Sequence, residues 1–450
     1  MTKLRLAIVG AGPAGIYAAD ILLKHERAFE VSIDLFEQLP APYGLVRYGV
    51  APDHPRIKGI ITALREVLDR GDIRIFGNVR YGVDITLDDL KRHYNAVIFA
   101  TGAIRDADLD IPGIDLPGSY GAADFVSWYD GHTDVPREWP LDASSVAVLG
   151  NGNVALDVAR MLAKHADDLL PTEIPANVYD ILKASPVTDV HVFGRRGPTQ
   201  VKFSPLELRE LGELRDVDMI VNEEDFAYDD AARAAIESNK QIFVIDKVFS
   251  KWREEPTGSA SRRLHLHFYA KPLEVVAGAD GRVAAFRYER TEPDGAGGVR
   301  GTGEIREVAI GQLYRAVGYF GSPLDGIPFD ERRGVIPNHE GQVLASDNEI
   351  LPGVYATGWI KRGPVGLIGH TKSDAMETIQ HVITDQASWW NPSEPSEAAV
   401  LAPLNERGIE YTDLDGWHKL DQHEMALGAP HGRARIKVVP RDEMVKISRS

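Results

Sequence analysis

Two glycine-rich segments carry the residue types and spacing that most directly suggest chemistry. The first, residues 10–15 (GAGPAG), has the form G-x-G-x-x-G and follows an apolar run at residues 4–9. In this pattern Gly10 makes a tight turn, Gly12 lets the backbone approach a pyrophosphate, and Gly15 lets the following helix pack on the strand. The free N–H groups and partial positive charge at the helix N-terminus favour a bound anion. The segment therefore predicts a dinucleotide-binding site.

Glu37 indicates which nucleotide the first site accepts. It ends the next apolar run, about 20 positions after the glycine segment, where an acidic residue binds the hydroxyl groups of an adenosine ribose. A carboxylate at this place would repel a 2′-phosphate. The first site is therefore predicted to hold FAD or NAD, and not NADP.

A second segment, residues 150–155 (GNGNVA), has the form G-x-G-x-x-A and also follows an apolar run. Arg195 and Arg196 end the next run, at the place that Glu37 occupies in the first unit. Adjacent guanidinium groups bind a 2′-phosphate through bidentate, charge-assisted hydrogen bonds, so this site is predicted to bind NADP. The interval before the arginines exceeds the usual stretch of roughly 20 residues, and we assign the excess to an insertion at residues 166–189.

Composition limits the chemistry that two nucleotide sites can serve. The chain has 450 residues, a formal net charge of −17 and no cysteine. It therefore has no redox thiol pair and no thiolate-held iron–sulfur cluster or zinc ion, and we predict no metal site. The acidic balance disfavours nucleic acid and anionic membranes as partners. FAD in the first site and NADPH in the second would give a hydride path from nicotinamide to flavin.

The elements that must position these residues follow a repeated order of strand, glycine turn and helix, which indicates an α/β fold. Strands are predicted at residues 4–9, 31–37, 96–100, 145–149, 190–193 and 354–357. Helices are predicted at residues 14–24, 57–70, 154–165 and 369–383. Region 264–320 adds strand-like runs with a hairpin tip at residues 294–298, whereas the last fifty residues show no clear pattern.

Longer segments are more distinctive. They are residues 37–58 (EQLPAPYGLVRYGVAPDHPRIK), 150–157 (GNGNVALD), 194–198 (GRRGP), 206–211 (LELREL) and 358–369 (GWIKRGPVGLIG). With these motifs, nearly the whole chain resembles the adrenodoxin-reductase-type NADPH–ferredoxin reductases, and in particular their bacterial, actinobacterial-like members. The resemblance implies two Rossmann-like dinucleotide-binding domains of three-layer ββα type, as in glutathione reductase. It places an FAD domain at residues 1–107 and 325–450, with a C-terminal extension, and an inserted NADP domain at residues 108–324.

The resemblance also implies site residues. Beside Gly10, Gly12 and Gly15, the positions that match FAD contacts are Ala14, Glu37, Leu45, Tyr81, Trp359, Gly366, Leu367 and Ile368. Tyr81 stands where the family usually has valine. The positions that match NADP contacts are Asn151, Gly152, Asn153, Val154, Ala155, Arg195, Arg196, Glu207 and, near the nicotinamide, Gly366. His54 and Glu210 match a polar pair beside the flavin ring and are the expected catalytic residues, which would tune polarity or proton access.

The implied activity is NADPH-dependent reduction of a ferredoxin-type iron–sulfur protein, by hydride transfer to FAD and two single-electron transfers to the carrier. A cytochrome P450 is the expected acceptor downstream. A flavin monooxygenase, a quinone reductase and a non-catalytic NADPH/FAD redox sensor are the open alternatives. Residues 1–10 show no signal peptide and no apolar stretch suits a membrane span, so a cytoplasmic protein is expected. An acidic carrier is expected to dock on basic residues: Arg47, Arg209, Arg215, Arg233, Lys240, Lys247, Lys251, Lys361 and Arg362.

Overall fold

The computed structural model describes residues 3–365 and 370–450. Within these ranges the strands are, in chain order, β1 Lys3–Val9, β2 Glu30–Glu37, β3 Ile73–Gly77, β4 Ala96–Phe99, β5 Arg105–Asp106, β6 Ser119–Gly121, β7 Ser145–Leu149, β8 Asp189–Phe193, β9 Val217–Val221, β10 Arg262–His267, β11 Ala270–Ala277, β12 Val283–Pro293, β13 Val299–Ala309, β14 Gln312–Arg315, β15 Tyr319–Phe320, β16 Asn338–His339, β17 Gln342–Leu344 and β18 Ile350–Ala356.

The α-helices in the same ranges are α1 Pro13–Lys24, α2 Leu45–Tyr48, α3 Pro55–Lys58, α4 Ile60–Leu68, α5 Leu87–His93, α6 Ala122–Tyr129, α7 Asn153–Ala163, α8 Ala176–Ala184, α9 Pro205–Leu211, α10 Asp230–Ser238, α11 Lys240–Glu254, α12 Trp359–Arg362, α13 Thr371–Thr384, α14 Leu401–Glu406, α15 Leu414–Gly428 and α16 Arg441–Ser448. Among the described helices, none combines the length and the apolar character that crossing a bilayer requires.

The first sheet takes its strands from two separate parts of the chain. Its order is β16-β17-β18-β4-β1-β2-β3, and β18, β4, β1, β2 and β3 run parallel. Residues 4–9 of β1 are all buried, as expected for a parallel strand that is covered on both faces. Helices α1, α4 and α13 pack together on one face. The sheet thus needs residues from both ends of the chain to be complete.

The second sheet has the order β6-β14-β7-β8-β10-β9, and its strands are parallel. Helix α7 packs on one face. The antiparallel sheet β11-β12-β13 covers the other face, where Val275 and Phe286 share an apolar cluster with Ala147, Leu149 and Phe193. The result is a layer of helices, a parallel sheet and an antiparallel sheet, which confirms the predicted three-layer α/β class.

Three segments differ from the sequence-based expectation. The predicted helix at residues 57–70 is two helices, α3 and α4, joined at Gly59, a residue of low helix propensity. The insertion at residues 166–189 contains helix α8, which Pro175 precedes as its N-cap. The last fifty residues form α14, α15 and α16, and Trp417 and Met444 from this region pack into the core of the first sheet.

Candidate active site

The first glycine turn joins β1 to α1 without room for side chains. Gly10 has a φ of +113°, and a Cβ there would lie 2.4 Å from the carbonyl oxygen of Ala100, which follows β4. A Cβ on Gly15 would lie 2.0 Å from the carbonyl oxygen of Gly10. Gly12 is the N-cap of α1, so the first N–H groups of this twelve-residue helix point into the turn. Strand, turn and helix therefore stand as close together as a pyrophosphate site requires.

A loop from the next part of the chain lies against this turn. The N–H of Tyr43 donates to the carbonyl oxygen of Ala11 at 2.8 Å. Gly44 has a φ of +49°, and a Cβ there would lie 3.1 Å from the Cα of Gly12. Leu45 follows as the half-buried first residue of α2. Leu45 therefore lies next to the first glycine turn, as expected for a residue assigned to FAD binding.

Glu37 has the geometry of a ribose-binding carboxylate. It ends β2 and is 6% exposed. Its Oε2 accepts the N–H of Ala11 at 2.8 Å and its Oε1 accepts the N–H of Leu39 at 3.0 Å. Burial raises the pKa of Glu37, and these backbone hydrogen bonds oppose that shift. Each carboxylate oxygen keeps a further lone pair, so the side chain can still accept two ribose hydroxyls.

The end of β4 offers another group to a ligand. The Oγ1 of Thr101 is buried and has no hydrogen-bond partner among the described residues. Thr101 directly follows Ala100, whose carbonyl oxygen faces Gly10. Buried polar atoms are rarely left unsatisfied, so the hydroxyl fits a ligand that lies along the turn. The residues around the first turn therefore fit an adenine dinucleotide with an unphosphorylated ribose.

Trp359 shares packing partners with the segment that follows the second glycine turn. It is half-buried at the start of α12 and packs against a small cluster of Ala103, Ala123 and Tyr319. Val154, in the second turn, packs against the same cluster. The preceding Gly358 has a φ of +76°, and a Cβ there would lie 2.6 Å from the Cβ of Ala14. The start of α12 therefore lies against the beginning of α1 and shares packing partners with the beginning of α7.

For two groups of predicted FAD contacts, Tyr81 and residues 366–368, the described side chains show no contact with the first glycine turn. The hydroxyl of Tyr81 donates to the carbonyl oxygen of Asp325 at 2.7 Å, and its ring lies 4.9 Å from that of Phe99. The Tyr81 side chain is thus committed to the protein core, which leaves its main chain for a ligand contact. Gly366, Leu367 and Ile368 lie outside the described residues.

The second glycine turn joins β7 to α7 and leaves an open space. Gly150 has a φ of +152°, and a Cβ there would lie 2.2 Å from the carbonyl oxygen of Ala316. Gly152 is the N-cap of α7, and a Cβ there would meet nothing within 4 Å. Ala155 is fully buried and lies beneath the turn. The space at Gly152 fits a phosphate that accepts the first N–H groups of an eleven-residue helix.

Residues 202–204 border this second turn. The carbonyl oxygen of Asn151 accepts the N–H of Lys202 at 2.9 Å. The Oδ1 of Asn153 accepts the N–H of Ser204 at 2.9 Å. Ser204 is also the N-cap of α9, so the turn and the helix that carries Glu207 are held together.

Arg195 and Arg196 follow β8 as exposed residues, and neither guanidinium forms an ion pair with any residue that the structure describes. Their main chain is fixed instead. The carbonyl oxygen of Arg195 accepts the hydroxyl of Thr291 at 3.4 Å, and that of Arg196 accepts the N–H of Tyr269 at 3.1 Å. Two unpaired cations on a fixed turn suit a 2′-phosphate.

His54 lies at the centre of a charged cluster between the part of the protein that holds the first sheet and the part that holds the second sheet. It is 4% exposed. Its Nε2 lies 2.8 Å from Oδ1 of Asp157 and 3.2 Å from Oε2 of Glu207, and its Nδ1 lies 3.1 Å from Oε2 of Glu210. Burial opposes the charge of the imidazole, but the hydrogen bonds to Asp157 and Glu207 outweigh it and raise the pKa of His54 to about 10. These carboxylates thus favour the protonated ring, whereas Arg160, whose Nη2 lies 2.6 Å from the same Nε2, opposes its charge.

Glu207 and Glu210 both face this imidazolium. Burial raises the pKa of Glu210, as does the nearby charge of Glu207, whereas His54 lowers it. The structure thus brings the predicted pair His54 and Glu210 together. It also places Glu207, which we expected beside NADP, in the same cluster.

Sequence reasoning missed three members of the cluster: Asp53, Asp157 and Arg160. The guanidinium of Arg160 binds Asp53 through two hydrogen bonds of 3.0 Å and lies 2.8 Å from Asp157. Lys164 adds a contact of 2.6 Å to Asp53, and together these cations lower the pKa of Asp53 despite its burial. A signal was present, since residues 157, 160 and 164 share one face of the helix after the second turn.

The expected docking charges are only partly exposed. Arg47 is buried against Glu424, with contacts of 2.6 and 3.0 Å, and Lys361 is buried beside Asp374. Arg362 is half-buried and lies 3.0 Å from Asp374. The prediction that these three cations flank the site as free surface charges is therefore wrong, because each neutralises an internal carboxylate. The exposed cations are Arg209, Arg215, Arg233, Lys240, Lys247 and Lys251.

Comparisons with known proteins agree with this architecture. A family model described as pyridine nucleotide-disulphide oxidoreductase matches residues 4–196. NADPH-ferredoxin reductase FprA of Mycobacterium tuberculosis is 38% identical over 461 residues, which cover 99% of each chain. The human mitochondrial NADPH:adrenodoxin oxidoreductase is 37% identical over 459 residues, which cover 98% of this chain and 91% of the human protein.

The solved structure of Mycobacterium tuberculosis FprA in complex with NADPH has a TM-score of 0.91 and 36% sequence identity to this chain, and the match covers 100% of both chains. Identity at this level over nearly the full length adds to the two nucleotide turns and the arginine pair. The protein belongs to the adrenodoxin-reductase-type NADPH–ferredoxin reductases, as its sequence motifs predicted.

Proposed function

We propose that the protein is an FAD-dependent NADPH:ferredoxin oxidoreductase. The observation that carries the proposal is the presence of two different nucleotide turns whose neighbouring residues pack against one small cluster. The first turn has Glu37 for an unphosphorylated ribose, and the second has Arg195 and Arg196 for a phosphorylated one. Trp359 and Val154 join them at shared packing partners. FAD, when bound, would accept a hydride from NADPH and pass electrons singly to an iron–sulfur carrier.

The side chains around this junction position ligands and hold protons. Hydride transfer depends chiefly on placement of the two cofactors, and the rigid turns at Gly10 and Gly150 supply that placement. His54 holds a proton at its ring nitrogens, where Asp157, Glu207 and Glu210 surround it. We assign His54 and Glu210 the role of setting charge and proton access beside the flavin ring. Glu207 positions His54 and lies on the NADPH side through helix α9.

The assignments of Ala14, Leu45, Tyr81, Trp359 and residues 366–368 to FAD are part of the proposal, as are those of residues 151–155 and Glu207 to NADP. So are the domain boundaries at residues 1–107, 108–324 and 325–450. The sheet memberships support these boundaries, since strands β6 to β14 lie between residues 119 and 315. We further propose a cytoplasmic location and a cytochrome P450 as the final acceptor.

Purified protein tests the proposal directly. It should be yellow, and acid should release one FAD per chain that chromatography separates from FMN. Anaerobic NADPH should bleach the flavin absorbance, and the bleached protein should then reduce a small acidic ferredoxin. FMN, or no flavin at all, would contradict the cofactor assignment, and bleaching without ferredoxin reduction would contradict the assignment of the acceptor.

The same preparation separates the alternatives. In stopped-flow oxidation of the NADPH-reduced protein by O₂, a long-lived oxygenated flavin absorbance would indicate a monooxygenase. Faster turnover with a quinone than with ferredoxin would indicate a quinone reductase. Negligible turnover with every acceptor, despite binding of both nucleotides, would indicate a redox sensor.

A further inference from the structure

Three histidines meet on the central sheet of the NADPH side, outside the site described above. β8 and β10 pair in parallel with His191 opposite His265 and Phe193 opposite His267. Alternate residues such as Val192 and Leu264 face the core on the other side of the sheet. The three imidazoles therefore lie together on one face and form a histidine cluster.

The ring nitrogens of this cluster are close enough to share a ligand. Nδ1 of His191 lies 3.0 Å from Nε2 of His267. One ring nitrogen from each of the three residues lies within 4.8 Å of the other two. Two nitrogens bound to one tetrahedral zinc ion at about 2.0–2.1 Å are roughly 3.3 Å apart. The pair His191 and His267 is already near that separation. The ring of His265 stacks on that of His191, with centroids 4.2 Å apart, and must turn out of this stack to join them.

The carboxylate of Asp189 lies next to the cluster and hydrogen-bonds one of its histidines, as carboxylates commonly do with metal-binding histidines. Nε2 of His265 lies 3.0 Å from Oδ1 of Asp189. Arg263 fixes the carboxylate through two contacts of 2.5 and 2.6 Å. A histidine whose one nitrogen donates to a carboxylate offers the other to a metal as a neutral, oriented ligand. The side chains of His265 and Asp189 are each 19% exposed, which gives an ion a route from solvent.

Burial favours the neutral form of the three imidazoles. Burial and the neighbouring histidine lower the pKa of His191 to about 4, and burial with His191 and His265 nearby lowers that of His267 to about 3. Burial also lowers the pKa of His265, against the effect of Asp189. The nearby cations Arg290 and Arg306 are compensated by Asp225 and Glu224. Neutral nitrogen ligands without a free carboxylate suit a borderline metal such as zinc and not Mg²⁺ or Ca²⁺.

We propose that His191, His265 and His267 form a binding site for a divalent zinc-type cation, which would link β8 to β10 behind the turn that carries Arg195 and Arg196. The inference concerns residues that the NADPH-dependent activity does not use. It also revises the expectation from sequence that the chain has no metal site, since His191 is far from His265 and His267 in the chain and only the pairing of β8 with β10 brings it to them.

Zinc titration of the FAD-loaded protein against a chromophoric chelator tests this proposal. We expect one tight Zn²⁺ per chain, and X-ray absorption at the zinc edge should show about three imidazole neighbours. His191→Ala and His267→Gln should abolish tight binding, whereas Asp189→Asn should weaken it by roughly 10- to 100-fold, as loss of an outer carboxylate does. Thermal unfolding of the metal-free variants checks that each is folded, and His267→Gln keeps a polar side chain should His191→Ala fail to fold.

An exposed group of His339, Glu340 and His381 provides the matched control. The double variant His339→Ala with His381→Ala should bind Zn²⁺ as the unaltered protein does. The proposal is overturned if no Zn²⁺ is retained, if the His191 and His267 variants bind it equally well, or if only the control variant loses it. The first of these outcomes would show that the histidine cluster is packing alone.

Discussion

At the scale of single residues, the two arginines assigned to the 2′-phosphate of NADP differ from many others because they form no ion pair within the described part of the chain. Arg47, Arg160 and Arg263 neutralise buried or half-buried carboxylates. Arg195 and Arg196 are held by their main chain and present free guanidiniums to solvent. Such cations contribute to binding without first breaking an ion pair, so their removal reports directly on the ligand contact.

Replacing Arg195 and Arg196 by alanine should remove the preference for NADPH. Each charge-assisted contact contributes about 1.5–3 kcal/mol, so the ratio of kcat/KM for NADPH to that for NADH should fall by at least about 100-fold. Steady-state kinetics with both nucleotides measures the ratio. Arg233→Ala, which removes an exposed cation on α10, is the control and should leave it unchanged. An unaltered ratio in the double variant would disprove the phosphate assignment.

The raised pKa of His54 makes its contribution to stability depend on pH. Because the folded-state pKa of about 10 exceeds the unfolded value of about 6.5, the stabilisation is complete below pH 6.5 and disappears as the pH rises through 10. The free energy of unfolding of His54→Gln should therefore differ most from that of the unaltered protein near pH 6.5. The difference should shrink steadily towards pH 10.

Denaturant unfolding at several pH values between 6.5 and 10 measures that difference. His431→Gln, at an exposed position, should show no such trend. A difference for His54→Gln that is constant across this range would mean that the imidazole is neutral in the folded protein.

At the scale of elements, the turn between β1 and α1 shows how closely strand and helix must pack. We expect Gly15→Ala to prevent FAD retention, because its Cβ would lie 2.0 Å from the carbonyl oxygen of Gly10 and would push α1 away. Flavin absorbance per chain after gel filtration measures retention. Gly408→Ala, where a Cβ would meet nothing within 4 Å, should keep its FAD. Full flavin content in Gly15→Ala would show that the turn does not need this spacing.

Elements with a strong apolar pattern were predictable from sequence. Elements that are stabilised mainly by contacts with distant parts of the chain were not. The runs that became β1, β2, β4, β7 and β8 are apolar because both faces of a parallel sheet are covered. By contrast, α16 buries only Met444, Val445 and Ser448, which is too narrow a stripe to recognise. The cluster around His54 was half predictable: motifs revealed His54 and Glu210, but the contact with Arg160 spans more than one hundred positions.

At the scale of the whole molecule, a buried network of charges ties the two sheets to the helices near the C-terminus. Lys437 donates to the carbonyl oxygens of Arg47 and Asp130, at 2.8 and 2.9 Å, and lies 2.8 Å from the carboxylate of Glu173. Lys58 lies 2.7 Å from the same carboxylate. Arg47 and Lys58 belong to the first-sheet side, whereas Asp130 and Glu173 belong to the other, so the network holds the two nucleotide turns in one relative orientation.

Lys437→Met should destabilise the protein by about 3 kcal/mol, since it removes one of the two lysines that neutralise the buried carboxylates of Asp130 and Glu173. Denaturant unfolding of the FAD-loaded protein measures the loss. Lys446→Met, on the exposed face of α16, should change stability by less than about 0.5 kcal/mol. Equal stability of the two variants would show that the network is not a major support of the fold.

The exposed cations predict how a protein partner is recognised. Helices α9, α10 and α11 pack together and carry Arg209, Arg233, Lys240, Lys247 and Lys251 on their exposed surfaces. They alternate with exposed acidic residues of the same helices, such as Asp230 and Glu254, on a chain whose net charge is −17, and we predict that they form the docking patch. Attraction of an acidic ferredoxin to this patch weakens with salt, because the screening length falls to about 8 Å at 0.15 M.

Ferredoxin-dependent cytochrome reduction should therefore slow as salt rises, chiefly through a higher KM for ferredoxin. Reduction of ferricyanide, which needs no docking, should change much less. Lys240→Glu with Lys247→Glu should raise the KM for ferredoxin at low salt and flatten its salt dependence. The same salt response with both acceptors would remove the case for an electrostatic docking site.

The order of strands in the first sheet also determines when these strands can pair while the protein is being synthesised. β4 pairs with β18, and the chain between these two strands is roughly 250 residues long. At about 5–20 residues per second, a ribosome needs roughly 12 to 50 s to produce that stretch. The second sheet can assemble as it emerges, while β4 waits with an unpaired edge that another strand could occupy. Yield in a cell therefore depends on how well that edge is protected during translation.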